Sequence, residues 1–111
     1  MCERKLAIPT GEAGGMDDRV ADVFGRAKTF TILDLKGKAV ERVEVMRNPA
    51  ASYKHGAGPI TVKTLKDIGV TTIAAIEFGP GVSTLIDQFN IERVEVPRGT
   101  PVVDTVKRIL G

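Results

Sequence analysis

The chain has 111 residues, 42% of them apolar and 27% charged, the balance of one soluble globular domain that can fold without staples. Its net charge of +2, with lysines and arginines interleaved among acids, argues against a nucleic-acid partner, and no run of about 18 apolar residues is present to span a membrane. The single cysteine, Cys2, excludes an internal disulfide and suits a reducing cytoplasm, and the charged start Met1-Cys2-Glu3-Arg4-Lys5 is not that of a signal peptide.

Lys5-Leu6-Ala7-Ile8-Pro9 is short, apolar and closed by proline, so it reads as a first strand. Thr10 to Gly15 is a loop with three glycines, Gly14 and Gly15 among them, where backbone can approach a ligand closely. Val20, Val23 and Phe24 fit one face of a short helix stopped by Gly25. Thr29 to Leu35 is β-branched and aromatic, a second strand. Lys36-Gly37-Lys38 turns into Ala39 to Met46, where Val43 and Val45 alternate with Arg42 and Glu44, as on an edge strand with one wet face.

A loop with the only histidine follows, Asn48 to Pro59, with Gly56-Ala57-Gly58 behind His55. Pro59 suits a first helical position. Ile60, Thr64, Leu65 and Ile68 then line one face, and Gly69 is the expected C-cap. Thr72 to Ile76 is continuously apolar, as in a strand covered on both faces. Glu77 to Gly81 is a second glycine turn, and Val82, Leu85, Ile86 and Phe89 give an amphipathic helix. Ile91 to Val96 is a half-polar strand. Thr100 is the expected cap of a last helix with Pro101 at its first position and Val103, Val106 and Leu110 inward. Strands alternating with helices after a hairpin predict a mixed five-stranded α/β sheet with the first and fourth strands central.

In such a sheet ligands bind beyond the carboxyl ends of the parallel strands. The Thr10 to Gly15 loop and the turn at Gly79 land there directly. The histidine loop needs a further step, because it follows the hairpin's edge strand and must cross back. If all three meet, backbone N–H groups, a helix N-terminus and His55 form a rim that favours an anion. One histidine is not a metal site, since structural zinc uses four protein ligands. Cys2 could supply a thiolate, although its place at the terminus suggests a solvated end. Met16 reads as a gap filler of the core, and Tyr53 as a residue packed under the histidine loop. Asp17, Asp18, Asp22 and Asp34 are the candidate acids for a two-metal nuclease. The first strand carries no acid, which disfavours that chemistry. No nucleophile elbow, Walker loop or Rossmann fingerprint occurs.

Leu6-Ala7-Ile8-Pro9-Thr10, Phe24-Gly25-Arg26-Ala27, Asn48-Pro49, His55-Gly56-Ala57-Gly58 and Gly79-Pro80, in this order and spacing, resemble the dinitrogenase iron-molybdenum cofactor biosynthesis family, the NifX/NafY-like domain. The resemblance covers nearly the whole chain, read as a single domain over 1–111. It implies a three-layer α/β/α, ribonuclease-H-like fold with strand order 3-2-1-4-5 and strand 2 antiparallel. It also implies a non-catalytic carrier for an iron–sulfur-type cluster or an iron-molybdenum-cofactor-like precursor, working with a cluster donor or acceptor protein. His55 is then the metal ligand. Gly56, Gly58, Gly79, Gly14 and Gly15 form the cradle, and Arg26, with Lys54, balances charge. The family often has histidine where this chain has Val23, which cannot ligate iron. Two alternatives stay open: a binder of phosphate-bearing small molecules or nucleotides, and an interaction module without ligand. The sequence leaves oligomeric state open.

Overall fold

The structure, a computed structural model, describes residues 3–52 and 56–111. Among the described residues five strands and three helices follow in the order β1 (Glu3–Thr10), β2 (Thr29–Lys36), β3 (Ala39–Arg47), α1 (Ala57–Asp67), β4 (Thr72–Ala75), α2 (Pro80–Gln88), β5 (Glu92–Glu95) and α3 (Val102–Leu110). The sheet order is β3-β2-β1-β4-β5. β2 is antiparallel to both β1 and β3, whereas β4 is parallel to β1 and to β5. This is the mixed sheet and strand order expected, with β2 the antiparallel strand.

The sheet separates two cores. Ala7, Phe30, Ile32, Ile73 and Ala75 pack on one face against Val62 and Leu65 of α1 and Val82 and Ile86 of α2. Leu6, Ile8, Leu33, Leu35 and Ala74 face the other way, against Val102 and Val106 of α3. Period-2 alternation of large apolar side chains along β1 and β2 thus feeds both layers. Among the described residues no helix is long and apolar enough to cross a membrane.

Several local expectations are corrected. Pro9 does not end β1, which runs on to Thr10. Asn48 N donates to Lys28 O, and counting back by twos along the β2–β3 register makes Phe30 a residue whose N–H and C=O face β3. Pro9, opposite Phe30, therefore owes β2 no N–H, and a central strand tolerates it. Residues 16–27 form turns and bends with no helix. Val20 is tied into a bridge with Thr10 instead, and Val23 is 55% exposed.

Helix α1 begins at Ala57, two positions before Pro59, on a Gly56 N-cap with φ 73°. Its buried face is Ala57, Thr61, Val62 and Leu65, and Ile60 and Ile68 are exposed. Its C-terminus closes as a Schellman motif, with Gly69 N donating to Lys66 O and Val70 N to Leu65 O. α2 carries Pro80 in its first turn, and Val82 and Ile86 are buried as expected. Thr100 is no cap for α3. Its hydroxyl donates to Pro97 O, and the buried face of α3 is Val102, Thr105 and Val106. β3 is wet on both faces, not one, with Val43 and Val45 exposed alongside Glu41, Arg42 and Glu44.

Candidate functional site

β3 runs antiparallel to β2 and therefore parallel to β1, so its carboxyl end already lies beside those of β1 and β4. The further crossing step is unnecessary. At this end the Phe24–Ala27 turn, the start of α1 and the start of α2 enclose an open cleft of about 660 Å³. Arg26, Gly56, Gly58 and Gly79, all expected at the site, line it together with Val23, Phe78 and Glu77. His55, Tyr53, Lys54 and Cys2 lie outside the described residues. Gly14 and Gly15 are not among the residues that line the cleft. Gly15 N donates to Thr31 Oγ1 at 2.9 Å, and Gly14 N donates to Asp18 Oδ2 at 2.8 Å.

Two helix N-termini open into the cleft, among the described residues without side-chain caps and without an acid in their first turns. The first intrahelical donors are Ile60 N to Gly56 O and Ser83 N to Gly79 O. The amides before them, at Ala57 and Gly58 and at Gly81 and Val82, are the groups a helix leaves for a ligand or solvent. Partial positive charge accumulates there. Arg26 adds a full charge at the same wall, and Glu77 opposes it. The floor is aromatic: Phe24 stacks edge-on against Phe30 at 5.5 Å and lies 6.1 Å from Phe78.

The cleft owes its shape to a close backbone approach. A Cβ built on Gly25 would sit 2.8 Å from Gly58 N and 2.9 Å from Gly58 Cα. Only glycine lets the turn and the helix start touch. Asn48, 3% exposed, locks this contact. Its Nδ2 donates to Gly25 O at 3.0 Å and to Ala27 O at 2.9 Å, and its Oδ1 accepts from Ala50 N at 3.0 Å. The Thr61 hydroxyl of α1 reaches both Gly25 O at 3.3 Å and Asn48 Oδ1 at 3.4 Å. One buried amide thus joins the Phe24–Ala27 turn, the loop after β3 and helix α1. Sequence reading gave neither residue this role. The available signals were an Asn-Pro turn directly after a strand and a threonine in mid-helix, where it is otherwise unfavourable.

Three of the candidate nuclease acids, Asp18, Asp22 and Asp34, serve separate tasks. Asp34 pairs with Lys5 at 3.8 Å and Asp22 with Arg98 at 3.2 Å. Among the described residues no three of His, Cys, Asp and Glu gather as metal ligands. Met16 packs against the core on the α3 side, as its gap-filling reading expects. Asp18 organises the first glycine loop, accepting from Glu12 N, Gly14 N and Arg19 N at 2.7 to 2.9 Å. Partial burial alone would raise its pKa, but the three backbone donors outweigh this and hold it below its ordinary 3.8. A lowered folded pKa contributes stability above the ordinary value, and that contribution is lost as pH falls through the folded value. Asp18→Asn is therefore expected to cost roughly 1–3 kcal/mol near neutral pH. The gap to wild type should narrow as pH falls below 3.8 and through the lowered folded value. Urea unfolding across a pH series from neutral into acid checks this.

The family model for the dinitrogenase iron-molybdenum cofactor matches residues 4–111. The chain belongs to the dinitrogenase iron-molybdenum cofactor family. Within the curated relatives of this family member, an uncharacterised protein of Methanocaldococcus jannaschii is 25% identical over 88 residues, covering 79% of this chain and 70% of that one. Among solved structures, the apo form of the orange protein from Desulfovibrio gigas superposes with a TM-score of 0.84 at 27% identity, over 96% of this chain and 87% of its own. A Thermotoga protein provisionally called a NifB protein gives 0.76 at 26% identity, over 96% and 86%. Val23, where the family resemblance places a histidine, stands on the cleft wall of this member.

Proposed function

We propose that this chain is a non-catalytic carrier for an anionic metal–sulfur cargo, an iron–sulfur-type cluster or iron-molybdenum-cofactor-like precursor, passed between a donor and an acceptor protein. The observation that carries the reading is the pair of uncapped helix N-termini facing one cleft beside Arg26. Such a wall stabilises a negatively charged guest without bonding to a particular atom. The residues fit a cluster better than a bare cation: the described walls offer N–H donors and a guanidinium, and one carboxylate. Membership in the dinitrogenase iron-molybdenum cofactor family supports this class of cargo. His55, next in sequence to the N-cap glycine, is the proposed metal ligand, through a neutral imidazole nitrogen. Gly56, Gly58 and Gly79 supply the close backbone surface, and Arg26 the counter-charge.

The uncapped N-termini also suit a phosphate-bearing small molecule, which is the second reading. The two separate cleanly. Anaerobic incubation with ferrous iron and sulfide should give a charge-transfer absorption band in wild type, a weaker one in His55→Ala and a stronger one in Val23→His. If wild type and His55→Ala take up the same negligible iron, the carrier reading fails. Thermal stabilisation by nucleotides that persists with chelator present would favour the phosphate reading.

A further inference from the structure

Among the described residues β3, Ala39–Arg47, is the long free edge of the sheet, whereas the opposite edge, β5, has four residues. Val43 and Val45 on it are 39% and 47% exposed. The bond from Asn48 N to Lys28 O fixes the ladder alternation. With the register Phe30↔Met46, Ile32↔Glu44 and Asp34↔Arg42, those β3 residues face β2. The N–H and C=O groups of Val43, Val45 and Arg47 then point away from the sheet. An unpaired row of this kind is a template for another strand.

The side chains select the strand. We propose that β3 pairs antiparallel with β3 of a second copy, in the two-fold register that puts Val43 opposite Val43. In that register Arg42 of each copy faces Glu44 of the other, twice by symmetry. Arg42 and Glu44 are already ion-paired along the strand, so the dimer closes a four-charge network, where isolated surface pairs contribute little. On the other face Val43 meets Val43, a favourable cross-strand pair. The competing register centred on Val45 sets Glu44 against Met46 and Val43 against Arg47. One centred on Glu44 sets like charges opposite and faces the wrong backbone groups. The bulge between Arg42 and Val40 limits the length of the shared ladder, so the association is reversible and concentration-dependent. The cleft lies outside this contact and stays open.

Sedimentation equilibrium of the full chain, at up to about 1 mM protein so that millimolar association is still seen, reads the result. Wild type should move from monomer to dimer with concentration. Arg42→Glu and Glu44→Arg should each stay monomeric, because each puts like charges opposite in its own dimer. An equimolar mixture of the two should regain a one-to-one dimer, since the acids of the first variant then face the bases of the second at both crossings. Circular dichroism and thermal melting of each variant establish that it is folded. A wild type that is monomeric throughout, single variants that dimerise as wild type does, or folded variants whose mixture stays monomeric would each overturn the proposal.

Discussion

Asn48→Ala is expected to lose roughly 3–4 kcal/mol of stability, which for a chain of this size lowers Tm by about 15 °C. The substitution removes the Asn48 bonds to Gly25 O, Ala27 O and Ala50 N at once. It leaves Gly25 O only the longer bond from the Thr61 hydroxyl, and buried polar groups that lose their partners carry their desolvation cost. Asn48→Asp tests the direction of the bonds. It keeps an acceptor for Ala50 N but turns the donor toward two carbonyls into an oxygen, so it should be about as damaging as alanine. Thr61→Val, which removes a hydroxyl at the edge of the same network, should cost only about 1 kcal/mol. Denaturant unfolding of the three variants checks the order. An Asn48→Ala loss below about 1 kcal/mol, no more than a single ordinary hydrogen bond, would remove Asn48 from its place as the clamp.

Gly25→Ala is expected to be the most damaging of the glycine substitutions around the cleft. The new methyl would press on Gly58 N and Cα at 2.8 and 2.9 Å and on Ala57 C at 3.3 Å. All three are backbone atoms, so no rotamer change relieves them, and overpacking of this kind costs about 1–3 kcal/mol. The displaced backbone carries the Gly58 amide, so cargo affinity should fall with stability. Gly79→Ala is the matched control. Gly79 lines the same cleft, has φ −66° and has nothing within 4 Å of an added Cβ. It should melt within about 0.5 kcal/mol of wild type. Equal losses for the two would mean that the turn and the helix start are not held in contact.

The architecture was readable because its signals are local. Runs such as Thr29 to Leu35 and Thr72 to Ala75 are apolar and β-branched enough to be strands wherever they sit, and right-handed crossovers then leave few arrangements. The misreadings cluster where a local rule met a tertiary contact. Pro59 looks like a helix start, but Gly56 can take φ 73° and begin the helix earlier, and docking on the sheet buries Thr61 and Val62 rather than Ile60 and Ile68. Val20 and Phe24 suit a helix, yet the bridge of Val20 to Thr10 and the bond from Ala21 N to Pro9 O commit the start of this segment to the end of β1 instead. The cleft was half legible. Arg26, Gly56, Gly58 and Gly79 come from three segments far apart in sequence and share a wall. Gly14 and Gly15 looked equivalent as sequence, but the Asp18 carboxylate folds their loop over β2 and β3. Asn48 could not be ranked from sequence, because its importance lies in the partners that the fold brings to it.

The most direct test of the carrier account is amide mapping of the ¹⁵N-labelled chain during anaerobic loading with a paramagnetic iron–sulfur cluster. Signal loss should centre on Gly25, Arg26, Gly56, Ala57, Gly58, Gly79, Gly81 and Val82 and spare Glu12 to Gly15. Loss centred on the Glu12 to Gly15 loop, or no selective loss at saturating cluster, would contradict it.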